Sequence, residues 1–165
     1  MSNPMPSPRT RRRSRAFTLV ELLVVMAVLG ILAMAAFPLA EVAVQRDREH
    51  ELKRALWEIR DAIDAYKKAM DASAGASGVA GPTYPPTLAA LVKGVPSANA
   101  SGVTLYFLRR VPRDPFADPA VPAEKTWGLR SFESSADAPR AGADVYDVYS
   151  MSDKIGLNGV PLKEW

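Results

Sequence analysis

The chain has no cysteine. That excludes a disulfide framework and any thiolate metal site. A single histidine, His50, leaves little room for imidazole-based catalysis or a His-rich metal cluster. No G-x-S-x-G, H-E-x-x-H or phosphate-binding glycine loop occurs, so the chain is not expected to be an enzyme. Aromatic residues make up only 8% of the chain and are interspersed with acids, which gives no stacking platform for nucleic acid. Two local absences are more informative. Residues 22–40 contain no charge, and residues 41–71 contain neither glycine nor proline.

The 165 residues suffice for one domain with a modest core. The net charge of +3 is unevenly distributed. Five arginines (Arg9, Arg11, Arg12, Arg13 and Arg15) fall in residues 1–16, where there is no acid. Without them, 16 basic residues face 18 acidic ones, a net of -2. The basic character therefore belongs to the leader and does not indicate a nucleic-acid partner.

After the arginines comes an apolar run broken only by Glu21. A helix over residues 22–40, at ~1.5 Å per residue, just covers a ~30 Å hydrocarbon core. Arginines before such a segment stay on the cytoplasmic side, so the remainder of the chain is expected outside. The run admits three readings. It fits a cleavable secretory signal, with Ala33-Met34-Ala35 as an A-x-A pattern and release after Ala35. It also fits a plain anchor, or a segment retained after a cut on its N-terminal side. Glu21 bears on the choice, because a carboxylate in an apolar helix costs about 2.5–3.5 kcal/mol on insertion scales. It needs a positive partner there, which ordinary signals and anchors do not supply.

The stretch Ala16-Phe17-Thr18-Leu19-Val20-Glu21 resembles the prepilin peptidase recognition motif of type IV pilins and type II secretion pseudopilins. The resemblance implies cleavage between Ala16 and Phe17 and N-methylation of Phe17. It also implies that Glu21 pairs, during filament assembly, with the N-terminal amine of a neighbouring subunit. The family usually has glycine where this chain has Ala16. Gly30 and Pro38 lie within the run. Proline inside a helix removes a hydrogen bond and usually kinks it, and the resemblance adds that the helix loosens between such residues in assembled filaments.

Beyond residue 40 the helix is expected to continue. Leu52, Leu56, Ile59, Ile63, Tyr66 and Met70 recur every three or four residues, forming one apolar stripe. The charges of residues 41–51, His50 among them, are expected on a solvated or subunit-facing surface. Residues 71–83 end the helix. Thr87 is placed to cap a short helix that turns Leu88, Leu91 and Val92 inward. Residues 94–102 read as a loop, and the prolines of residues 112–115 as a rigid turn. Residues 126–133 and 145–149 read as strands of a small antiparallel sheet. Asp144 and Asp147 read as surface acids. Residues 150–165 form a loop with an Asn158-Gly159 turn, and Trp165 packs back on the domain. The fold class is α+β: a basic leader (1–16), a membrane or filament-core helix (17–40), its amphipathic continuation (41–71) and a C-terminal globular region (72–165).

Tyr84-Pro85, the stretch from Arg110 to Pro115 (RVPRDP) and Asp147-Val148-Tyr149-Ser150 match, in order, the major pseudopilins of type II secretion, the G type. That resemblance implies a structural subunit of a filament assembled from this and other pseudopilins at the bacterial inner membrane, with a single span and a periplasmic domain. Prepilin peptidase and an inner-membrane assembly platform are the implied partners. It also implies calcium in the C-terminal loop, for which Asp153, Asn158 and Glu164 are the candidate ligands. The alternative for that loop is closure by hydrogen bonds and by packing of Ile155, Leu157 and Trp165. The missing cysteine favours a pseudopilin over a type IV pilin, because many of the latter carry a C-terminal disulfide.

Overall fold

The computed structural model describes residues 18–77, 83–97 and 102–165. The leader, the Ala16–Phe17 bond and residues 78–82 and 98–101 lie outside them. The chain divides into two units after Val42. Helix α1, Leu19–Ser77, begins in the first unit and continues in the second. It ends six residues later than the sequence suggested, taking in Gly75.

The described residues of the first unit are the start of this helix and Thr18 before it. Its large apolar residues, from Leu19 to Leu39, are all exposed. Pro38 lies inside it and has no amide to donate, which is the local exception in an otherwise helix-favouring sequence.

In the second unit the predicted stripe is the core, except that Met70 at its end is only partly buried. Leu52, Leu56, Ile59, Ile63 and Tyr66 are buried, joined by Ala55 and Ala62, whose small side chains let the domain approach the helix closely. Against this face pack Leu88, Leu91, Leu108, Val111, Trp127, Val145, Val148 and Leu162. Trp57, on the opposite side of the same turns, is 75% exposed. One stripe inward and one outward is the pattern that a 3.6-residue period imposes.

Helix α2, Leu88–Lys93, buries Leu88 and Leu91, while Val92 is only half-buried. The Thr87 hydroxyl makes no capping bond, contrary to expectation; its carbonyl instead accepts from the Ala90 amide. Gly94 ends α2 at φ 75°, and a Cβ there would lie 2.6 Å from the Leu105 carbonyl oxygen. The chain then forms a two-residue ladder that the sequence did not suggest. Strand β1, Val95–Pro96, pairs antiparallel with β2, Thr104–Leu105. Pro96 concealed it, and proline is accepted in such a ladder only because the pair is all edge.

Strands β3, Trp127–Arg130, and β4, Asp147–Ser150, pair antiparallel with Trp127 opposite Ser150 and Arg130 opposite Asp147. The expected sheet is therefore present but shorter, and among the described residues it is one of two small ladders. The proline-rich turn is tied to it from inside. Asp114, 1% exposed, accepts from the Ser150 hydroxyl at 2.6 Å and from the Phe116 amide at 2.7 Å. The Trp127 indole donates to the Pro112 carbonyl at 2.8 Å. Arg113 donates to the carbonyls of Asp118, Pro119 and Val121, closing the adjoining loop. Pro85 is buried, and its carbonyl accepts from the Val145 amide at 2.8 Å, which fixes the entry to β4.

Asp147 corrects the reading of it as a plain surface acid. Its carboxylate accepts from Arg60 of α1 at 2.8 Å and from Arg130 of β3 at 3.1 Å. Arg60 also donates to the carbonyls of Val148 and Trp165. One guanidinium thus fastens the helix, β4 and the C-terminal segment together. Asp144 accepts from the Phe132 amide.

Tyr84, Phe132 and Tyr146 form an aromatic corner with ring centroids 5.1–5.5 Å apart. Lys67 lies over Tyr84 and donates to Asp71 at 2.5 Å. The Asp71 hydrogen bond holds the Lys67 ammonium above its ordinary pKa, and burial pushes the Tyr84 hydroxyl up in spite of the nearby lysine. A raised folded-state pKa contributes stability that is complete below the unfolded value and is lost as pH rises through the folded one. The corner is therefore expected to be unaffected by mild acid and to loosen only in strong alkali. A tyrosinate absorbance titration should show a group ionising above the ordinary tyrosine range, and Tyr84→Phe should remove it.

Candidate functional site

The candidate site is the start of α1. Thr18 directly precedes the helix, and its hydroxyl accepts from the Glu21 amide at 3.2 Å. That satisfies one of the orphan donors of the first turn. Thr18-x-x-Glu21 has the spacing of a capping box, a helix-start signal that was legible in the sequence and was missed there. A carboxylate at the third helical position also complements the positive end of the helix dipole.

The Glu21 side chain is exposed, and among the described residues it has no partner. The surface around it is apolar: Leu19, Val20, Leu22, Leu23, Val24 and Val25 all lie between 48% and 76% exposed. Among the described residues α1 is the one helix long and apolar enough to cross a membrane, and none of its most apolar stretch is buried within the chain. Gly30 and Pro38 both sit inside it, and a Cβ at Gly30 would meet nothing within 4 Å. Ala16 and Phe17 lie outside the described residues. Such an arrangement presents an apolar rod carrying one carboxylate near its start, suited to burial in lipid or against like rods, with a cation to meet the carboxylate.

The candidate calcium ligands do not form a ligand set. Calcium takes six to eight oxygens at 2.3–2.6 Å. The Asp153 side chain is 95% exposed and faces the Lys163 ammonium at 3.8 Å. The Asn158 side-chain oxygen accepts from the Val160 amide at 3.1 Å. Glu164 is exposed in a single 3-10 turn. Among the described residues no three acids, histidines or cysteines converge as a metal site would require. As these three side chains stand, their oxygens do not fit the ion.

The alternative reading of the loop is also corrected in part. Ile155 is 62% exposed and Leu157 44%, so burial of these two does not close the loop. Trp165 does pack on the core, with the Lys53 ammonium 4.5 Å from its ring centre. The Asn158-Gly159 turn is present, with Gly159 at φ 80° and its amide donating to the Gly156 carbonyl at 2.8 Å. His50 is exposed, as expected, but Glu49 beside it is buried at 7%. Glu49 and Arg60 are two charged helix residues whose roles the sequence concealed. Each lies on a helix rich in charge, and only tertiary contact sets them apart.

Among known proteins, no curated protein and no solved structure matches this chain. Residues 11–37 match the family model described as the prokaryotic N-terminal methylation motif. That stretch takes in four of the five leader arginines, the Ala16–Glu21 motif and most of the exposed apolar helix, and the match supports a type IV pilin-like protein.

Proposed function

We propose that the chain is a structural subunit of a type II secretion pseudopilus. Prepilin peptidase cuts between Ala16 and Phe17 and methylates the new amine. The mature subunit waits in the inner membrane, with α1 spanning it and the second unit in the periplasm. An assembly platform then packs subunits by their apolar helices into a filament that drives exported proteins through the outer membrane. The observation that carries this reading is an exposed apolar helix start, with Glu21 unpartnered among the described residues, lying within a methylation motif. A simple anchor accounts for the apolar surface but not for the carboxylate, whose burial without a cation is unfavourable by about 2.5–3.5 kcal/mol. Methylation keeps the Phe17 amine cationic, so it remains a suitable partner.

The order of Tyr84-Pro85, the RVPRDP stretch and Asp147–Ser150 supports the secretion filament over the pilus, as does the lack of cysteine. These segments have structural work in the fold: Pro85 holds the entry to β4, and Asp114 joins the turn to Ser150. Deleting the gene in its own host separates the outcomes. Loss of export with surface fibres intact supports the pseudopilus. Loss of surface fibres, adhesion or DNA uptake with export intact replaces it with a type IV pilus subunit. A soluble periplasmic product released after Ala35 would remove both.

A further inference from the structure

The segment after β4 is held to α1 by a carboxylate from the helix. Glu49 Oε1 accepts from the Leu157 amide at 2.8 Å and from the Gln45 side-chain amide at 2.9 Å. Gln45 also donates to the Ile155 carbonyl at 3.2 Å. Residues four apart on one helix face thus engage both a donor and an acceptor of the loop, the geometry that an i, i+4 pair allows. The loop is closed on itself as well. The Gly156 amide donates to the Val160 carbonyl, Ile155 bridges Pro161, and the Leu162 amide donates to the Lys154 carbonyl. Leu162 then inserts fully into the core.

Charge in residues 150–165 is balanced without an ion. Two acids, Asp153 and Glu164, accompany two lysines, Lys154 and Lys163. Asp153 is met by Lys163, and Lys154 lies over the Phe116 ring at 5.7 Å. The side chain that the Leu157 amide meets is the carboxylate of Glu49, and a charged acceptor makes a shorter and stronger bond to a backbone amide than a neutral one.

We propose that Glu49, supported by Gln45, is the anchor that seats the 153–161 loop on α1, and that the loop takes its native conformation without a divalent cation. The helix carboxylate does internally what a bound metal would do in a loop rich in acids: it gives the turn's backbone a fixed charge to close on. This goes beyond the filament reading and does not depend on it, because the readout is local order and not assembly.

The test is amide hydrogen exchange on the full chain in detergent, with EDTA and with millimolar calcium. Leu157 is expected to be equally protected in both, with no calcium-dependent shift in the thermal midpoint. Glu49→Ala should raise exchange at Leu157 about tenfold or more in both conditions. The Tyr146 amide, bonded to the Arg130 carbonyl, should keep its protection and so report an intact sheet. Glu49→Gln retains an acceptor oxygen without the charge, and should fall between the two. It also carries the test if the alanine variant does not fold. Calcium-dependent protection of Leu157 in the unaltered chain, or unchanged Leu157 exchange in both variants, would overturn the proposal.

Discussion

Glu21→Gln is expected to leave membrane insertion and cleavage before Phe17 normal and to weaken subunit association about a hundredfold. The substitution keeps the shape of the side chain and removes its charge. Insertion should, if anything, become easier, since a neutral amide is less unfavourable in hydrocarbon than a carboxylate. Assembly should suffer because the neighbouring subunit's amine would then be buried without its counter-ion. Removing one member of a buried pair costs more than the pair's own net contribution, because the other charge is left unsatisfied. Membrane fractionation, the mass of the mature chain and filament yield read the three steps separately. Filaments at normal yield from this variant would exclude the pairing.

Ile59→Ala is expected to destabilise the second unit by about 2–5 kcal/mol, the range for truncating a buried branched side chain. Ile59 is fully buried midway along the stripe that carries the core. The cavity would open between the helix and the domain, where neither can collapse without moving the other. Trp57→Ala, two residues away on the exposed side, should change stability by no more than about 0.5 kcal/mol despite removing a larger side chain. Denaturant unfolding of the two variants in detergent, followed by near-ultraviolet circular dichroism, gives the comparison. Equal losses would mean that α1 does not pack on the domain by this face.

The long helix was legible because its two halves obey simple rules: continuous apolarity in one, a 3.6-residue stripe in the other. The buried positions at Leu52, Leu56, Ile59 and Ile63 followed from the stripe alone. Strands β3 and β4 were visible from β-branched and aromatic residues, although their ends differ by a few residues. The β1–β2 ladder was hidden by Pro96, and the Thr18 cap by its place inside the Ala16–Glu21 motif. Arg60, Glu49 and Asp114 could not be singled out from spacing. Each is one charge among many, and its meaning comes from partners 36 to 108 positions away. The candidate calcium ligands are the reverse case. Asp153, Asn158 and Glu164 share a loop in the sequence, but their oxygens meet other groups of the protein or face solvent.

The most direct measurement is the mass of the mature N-terminus, taken on protein purified from its native membrane. A chain that begins at N-methylated Phe17 is the expected result, and it would place the apolar helix and Glu21 in the mature subunit ready for assembly. A chain that begins at Ala36 would contradict the account, because the helix and its carboxylate would then have been discarded before the protein acted.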